Sequence, residues 1–434
     1  MINTQNLILY REIPEDELFR DMTTLINGLE AGDNDEEARY GLFFKCVGRL
    51  VEMASAYGFS GNLWHCYLTY KLVNCENAFS RATEVRGAVE GSINELARHD
   101  FKIMKAIFDY DLGKLGEALD SGQAASITNY AGIPGDRILY NARIRDRICE
   151  LAVTLANTPD VASFKAAMEE FYKDYGVGKL GLHKAFRIVH DKDDRPTVQP
   201  ITNIAHVHLD DLVGYEPAKK KLLDNTEAFV NGRQANNCLL FGDAGTGKST
   251  SVKALLNMYY DRGLRVIEVF KHQLQDINAI IDYVKNRNYK FILFMDDLSF
   301  EEFEIEYKYL KAVIEGDLEK KPQNVLIYAT SNRRHLVRED YSDKAGMRND
   351  NDMHTSDTVQ EKLSLSARFG VKVYFSAPDK KEFNNIVLSL AKRAGITMPE
   401  DQLLLEANKW EVAHGGFSGR IAQQFIDYLL GQEA

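Results

Sequence analysis

Residues 242–249 read Gly242-Asp243-Ala244-Gly245-Thr246-Gly247-Lys248-Ser249, a G-x-x-x-x-G-K-[ST] run, and no other stretch limits the possible folds as severely. Glycines at this spacing let successive backbone N–H groups face one concavity and approach a phosphate closely. The lysine reaches β- and γ-phosphate oxygens, and the hydroxyl after it suits Mg²⁺. Such a loop works between a strand that ends beneath it and a helix whose positive N-terminal end faces the anion. Both flanks comply: Asn237–Phe241 predicts a short apolar strand and Thr250–Tyr260 predicts a helix. The run from Gly242 through Thr250 is therefore expected to bind nucleotide phosphate, with Lys248 on the phosphates and Ser249 on the metal.

Further apolar runs follow at Val266–Phe270, Phe291–Met295, Val325–Ala329 and Val371–Phe375, alternating with helical periodicity. That alternation predicts a parallel sheet covered on both faces. From Asp379 onward the pattern is helical again. Upstream, apolar residues recur at three- and four-residue spacing over Glu36–Ser55, Leu63–Phe108, Asn141–Asn157 and Ser163–Tyr175. The aromatics Trp64, Tyr67, Tyr70 and Phe101, Phe108, Tyr110 fall at helical spacing and read as core, with a partner surface as the other reading. The polar stretch Asp191–Pro200 holds two of the nine prolines and predicts a linker. The expected organisation is a helical domain over 1–190, a linker over 191–208, an α/β nucleotide domain over 209–378 and a helical lid over 379–434.

Composition narrows the partners. With 45% hydrophobic and 27% charged residues the chain is of globular type, and a formal net charge of −11 gives no global basic field for nucleic acid. Only local basic patches could serve that purpose, and none is compelling. The five cysteines are scattered without a C-x-x-C pair, so reduced core thiols and a cytoplasmic location are expected. No apolar run reaches membrane-spanning length, so no membrane partner is expected.

Phe291–Met295 ends in two carboxylates, Asp296 and Asp297. Ligands of open α/β sheets sit at the carboxyl ends of strands, which is where this pair belongs. Asp296 suits Mg²⁺, directly or through water, and Asp297 suits a general base for an attacking water. An acidic turn after a buried strand is the plainer alternative.

From about Leu209 to the C-terminus the chain resembles AAA+ ATPases. Leu212-Val213-Gly214-Tyr215 is similar to the adenine-contacting entry of that superfamily, which implies nucleotide contact at Val213 and Gly214. Val325–Ala329 with Thr330-Ser331-Asn332 resembles the sensor-1 strand, implying that Asn332 meets the γ-phosphate or the water. Ser366-Ala367-Arg368-Phe369-Gly370 looks like the arginine-finger box, and Gly415-Gly416-Phe417-Ser418-Gly419-Arg420 looks like sensor 2. The nearest likeness is to a bacterial AAA+ family of predicted ATP-binding proteins of unknown role. It is carried by Asp224-Asn225-Thr226-Glu227, Asp296-Asp297-Leu298-Ser299-Phe300 and Leu363–Gly370. The resemblance implies an AAA+ P-loop sheet with a C-terminal helical lid, preceded by a mostly helical N-terminal domain. It also implies ATP and Mg²⁺ as ligands and a homo-oligomeric ring such as a hexamer, because Arg368 would serve a neighbour's nucleotide while Arg420 acts in cis. The N-terminal helices would then grip an unknown protein partner.

Three features depart from that pattern. Asp297 stands where glutamate is usual, one methylene shorter, so slow hydrolysis is expected. Glu301 or Glu302 could assist. Lys271-His272-Gln273-Leu274-Gln275-Asp276 follows the second strand without an aromatic–apolar–glycine loop, which disfavours polypeptide threading. Lys271 and His272 read as a solvated loop, with nucleic acid as the weaker reading. Arg333 and Arg334 read as interface or surface residues. Asp340–Gln360 is a long polar run, a mobile or contact element, and its His354 has no metal-binding company. The leading expectation is an ATP hydrolase that remodels or regulates a partner. The rivals are a nucleotide-gated binding module with little hydrolysis and a nucleic-acid loader.

Overall fold

The computed structural model describes residues 2–32, 36–132, 142–202, 204–300, 306–315, 322–332 and 365–432. Two compact units divide at His183/Lys184. The expected boundary at 190 and the linker over 191–208 are corrected accordingly. Strand β1 (Ala185–His190) and strand β2 (Pro196–Pro200) form an antiparallel hairpin that belongs to the second unit. The polar residues between them make a tight turn. Asp191 Oδ1 accepts from the backbone N–H of Asp193 and Arg195, each at 2.9 Å, and Asp194 adopts a left-handed φ of 57°. Both prolines fit because β2 is an edge strand, where a missing N–H costs no ladder bond.

The first unit is built of helices around one aromatic core. Leu63–Phe108 is three helices rather than one: Leu63–Asn74, Ala78–Arg86 and Ser92–Phe108. Asn77 starts the second with a reciprocal capping box to Ser80, and Gly87, at φ 76°, ends it. Trp64, Tyr67, Phe101 and Phe108 are buried, as their spacing implies, and Tyr70 is packed against the same core. The buried Asp100 carboxylate accepts from the backbone N–H groups of Ile8, Leu9 and Tyr10. That fixes the N-terminal segment against the helix Ser92–Phe108 with its donors satisfied.

The second unit is a seven-stranded sheet in the order β2-β1-β4-β5-β6-β3-β7. Strand β3 is Cys238–Gly242, β4 Leu264–Glu268, β5 Lys290–Met295, β6 Val325–Ser331 and β7 Val371–Phe375. All neighbours after β2 run parallel. Central strands of a sheet covered on both faces read as unbroken apolar runs, and β5 and β6 are buried along nearly their whole length. The family-like residues Asn225 and Thr226 serve this packing. Both hydrogen-bond the buried Tyr328 hydroxyl on β6, at 3.0 and 2.8 Å, tying the helix Glu216–Val230 to the sheet. Lys380–Ala394, Glu400–His414 and Gly419–Gln432 form the C-terminal helices around their own core of Phe383, Leu403, Phe425 and Ile426. Lys271–Asp276 is a 3₁₀ turn: Gln273 is buried and donates to the Ile188 carbonyl at 3.0 Å, and the Lys271 ammonium lies 5.3 Å over the Phe300 ring.

Candidate nucleotide-binding site

Strand β3 sits between β6 and β7, so the loop at its end opens where the sheet's order reverses. Gly242 has φ 132°, and a Cβ there would stand 2.0 Å from the Phe375 carbonyl oxygen. Gly247 has φ 91°, and its Cβ would meet Leu212 Cδ2 at 2.0 Å. The loop thus needs glycine for backbone angle and for close approach together. Gly242→Ala is expected to lower unfolding stability by about 2–5 kcal/mol, since backbone oxygen cannot step aside and the left-handed angle adds strain. A shift under about 1 kcal/mol in denaturant titration would contradict this packing.

The helix Lys248–Tyr259 starts at Gly247 with no side-chain cap, so its first N–H groups are left to the cleft. Lys248 is 6% exposed, and its ammonium donates to the carbonyls of Gly242 and Asp243 at 2.9 and 2.6 Å. Burial pulls its pKa down, opposed by the carboxylates of Asp243, Asp297 and Asp296. Asp243 also accepts from the Ala377 N–H at 2.7 Å, and Thr246 Oγ1 donates back to the Asp243 carbonyl at 2.8 Å. These bonds hold the loop in shape without a ligand.

The acidic pair and the end of β6 form one chain of hydrogen bonds. Ser249 Oγ donates to Asp296 Oδ1 at 2.5 Å, and Thr330 Oγ1 donates to the same oxygen at 2.6 Å. The Asp297 N–H donates to Thr330 Oγ1 at 2.8 Å, and Asn332 Nδ2 donates to Asp297 Oδ1 at 2.8 Å. Asp297 itself has φ 50°, a left-handed angle that Asp and Asn adopt far more readily than longer side chains. The turn therefore gives a physical reason for aspartate at this position. Thr330 ties the Asp296 carboxylate to the Asp297 backbone, a role that the triplet Thr330-Ser331-Asn332 does not reveal in sequence.

One cleft of about 970 Å³ gathers Val213, Ala244–Thr250, Asp296, Asp297, Thr330, Asn332 and Arg420. Its apolar end is lined by Val213, Ile386, Leu390 and Ala394, and its lid wall by Gln423 and Gln424. The Arg420 N–H donates to the Gly245 carbonyl at 3.2 Å, and Gly245 faces Ser418 Oγ and Arg420 Cβ, so the lid helix abuts the loop. Arg393, unassigned by any motif, donates from its guanidinium to the carbonyls of Asp210 and Asp211, at 2.5 and 3.1 Å. Only long-range packing brings it there. Gly214 does not line this cleft; it turns the chain at φ 84° into Tyr215, whose ring packs on Phe375. Arg368 does not line it either, and lies just before β7 with its N–H on the Leu365 carbonyl. Glu301, Glu302, Arg333, Arg334, Leu363, Ser364 and Asp340–Gln360 with His354 lie outside the described residues.

A phosphate loop after β3, an acidic pair after β5, a polar end to β6 and a C-terminal helical lid define an α/β P-loop fold of the AAA+ class. The chain belongs to the family described as "Protein of unknown function (DUF815)", whose model matches residues 182–433. Among solved structures, a mutant of Thermotoga maritima RuvB is similar at 19% identity over 52% of this chain and 67% of that one, with a TM-score of 0.35. The FIGL-1 AAA domain in complex with ADP is similar at 16% identity over 53% of this chain and 74% of that one, with a TM-score of 0.36. No curated protein matches the chain. No helix among the described residues is long and apolar enough to cross a membrane.

Proposed function

We propose that the chain binds ATP with Mg²⁺ and hydrolyses it at an interface between subunits, remodelling or regulating a protein partner held by the N-terminal helical unit. The observation that carries the reading is the hydrogen-bonded series Ser249–Asp296–Thr330–Asp297–Asn332 beside the desolvated Lys248. The residues fit the ligand: an uncapped helix start and a glycine cradle suit phosphate, and a hydroxyl paired with a carboxylate suits a hard cation. Ser249 and Asp296 would hold Mg²⁺, which when bound neutralises charge on the β- and γ-phosphates. Lys248 turns from its carbonyl partners to phosphate oxygens. Asp297 accepts the proton of the attacking water, and Asn332 fixes that carboxylate. Arg420 contributes positive charge in cis and Arg368 in trans.

A second reading draws on the same geometry. Asp297 is short and already engaged by Asn332, which favours a nucleotide-gated binding module with slow turnover.

Lys248→Ala tests both readings at the binding step. Hydrogen bonds to charged groups contribute about 1.5–3 kcal/mol, so the dissociation constant for a fluorescent ATP analogue should rise on the order of 10- to 150-fold. Stability should move by less than about 1 kcal/mol, because water can solvate the two freed carbonyls and a desolvated charge is removed. Unchanged affinity in a folded variant would sink the proposal.

A further inference from the structure

The first unit contains a pair of sulfurs that the nucleotide chemistry does not use. Cys66, on the helix Leu63–Asn74, and Cys149, on Ala142–Ala156, bring their Sγ atoms to 3.9 Å across 83 residues of chain. Cys66 is buried and its thiol also reaches the Ser60 carbonyl at 3.6 Å, whereas Cys149 is partly exposed. We propose that these two residues are an oxidation site for peroxides, closing to an intramolecular disulfide that staples the two helices together.

The geometry assigns different tasks to the two sulfurs. Cys149 is the sulfur a small oxidant can reach, and Cys66 waits behind it. The hydrogen bond with Cys66 draws Cys149 below the usual thiol range against the opposing effect of burial, helped by the Ser60 backbone and by Arg145 one turn earlier, while Asp146 also opposes. The same hydrogen bond and burial push Cys66 up. Cys149 is thus the sulfur of the pair that ionises more readily, and the thiolate is the form that attacks. It displaces hydroxide from a peroxide oxygen, breaking the O–O bond; the hydroxide takes a proton and leaves as water, and Cys149 becomes a sulfenic acid. The Cys66 sulfur then attacks the Cys149 sulfur, the S–O bond breaks, and the Cys66 proton leaves with hydroxide as a second water. Two thiols lose two electrons in all, and one peroxide gains them. Disulfide formation needs the sulfurs at about 2.05 Å, so the pair must close from the present 3.9 Å.

The remaining cysteines are internal controls. Cys46, Cys75 and Cys238 are buried, and burial pushes their thiols up to about 12, about 11 and about 12. They should stay thiols under mild oxidation.

The full chain is treated with a small excess of hydrogen peroxide, unfolded under acid quench and alkylated with a maleimide. Two of the five thiols should be lost and return with dithiothreitol, and peptide mapping should find Cys66 linked to Cys149, lighter by two hydrogens. Cys149 should react at least about a hundredfold faster than Cys46, because its larger thiolate fraction outweighs the lower intrinsic nucleophilicity of a more acidic thiol. In Cys66→Ser, dimedone should trap the sulfenic acid on Cys149. Three results would overturn the proposal: unreacted thiols, sulfinic or sulfonic acid on Cys149 of the unsubstituted chain with Cys66 still alkylable, or a linkage through another cysteine or another copy.

Discussion

Asp297→Asn is expected to slow phosphate release by about 10²- to 10⁴-fold, the contribution usual for a positioned general base, while ATP affinity changes by only a few fold. The choice of asparagine follows from the backbone. Asp297 sits at φ 50°, where asparagine is tolerated and most side chains are strained. An alanine variant would mix lost chemistry with a disturbed turn. Asparagine also keeps an oxygen to accept from Asn332 Nδ2, now 2.8 Å away, and leaves the Thr330 bridge to the backbone N–H intact. What disappears is the basic carboxylate alone. Single-turnover phosphate release and nucleotide titration on the same preparation separate the two effects. Undiminished release would remove Asp297 from the role of base. The companion Asp297→Glu moves the carboxylate outward by roughly 1.5 Å at a backbone cost of about 1–2 kcal/mol. Faster release from it would mean that side-chain length, rather than turn geometry, limits the present rate.

How far the sequence discloses this site depends on how local each interaction is. The turn at Gly242–Ser249 is legible because Gly242, Gly245 and Gly247 hold positive φ angles that few other residues reach, so residue type records geometry directly. The apolar runs of β3 to β7 are legible for a similar reason: burial on both faces leaves no alternation to confuse with other elements. The turn and second strand of the β1–β2 hairpin read as a linker because Asp191, Asp193, Asp194 and two prolines are the same composition that a flexible tether uses. What anchors the hairpin in the sheet is the parallel pairing of β1 with β4, a contact between segments distant in sequence. Thr330 and Arg393 are opaque for that reason too. Each acts on residues far away along the chain, Thr330 on the acidic pair and Arg393 on Asp210 and Asp211, and nothing in the neighbouring sequence marks the partner. The glycine of Val213-Gly214 also carries a constraint that its motif does not record: its positive φ serves the turn that delivers Tyr215 to Phe375.

Arg368→Ala is expected to reduce phosphate release by about 10³- to 10⁵-fold, the range for an arginine supplied to a transferring phosphoryl group, with ATP binding to its own subunit preserved. The position motivates a role in trans. Arg368 lies between the short turn at Leu365 and β7, outside the cleft that holds Lys248 and Asp296 of the same chain. A guanidinium outside its own chain's cleft is the reason for testing delivery to a neighbouring copy. Loss of activity alone would not separate that role from a structural one, so the decisive measurement uses mixtures. Lys248→Ala chains should bind ATP on the order of 10- to 150-fold more weakly, and at limiting ATP stay largely empty, but carry an intact Arg368; Arg368→Ala chains should keep ATP binding but lack the guanidinium. If the arginine is delivered to a neighbour, mixed assemblies contain interfaces where one chain supplies the arginine and the other the nucleotide. Release should then recover to a measurable fraction of the unsubstituted rate, although each variant alone is inactive. If Arg368 acts within its own chain, no mixing ratio restores turnover. A fall in unfolding midpoint without complementation would assign Arg368 to the support of β7.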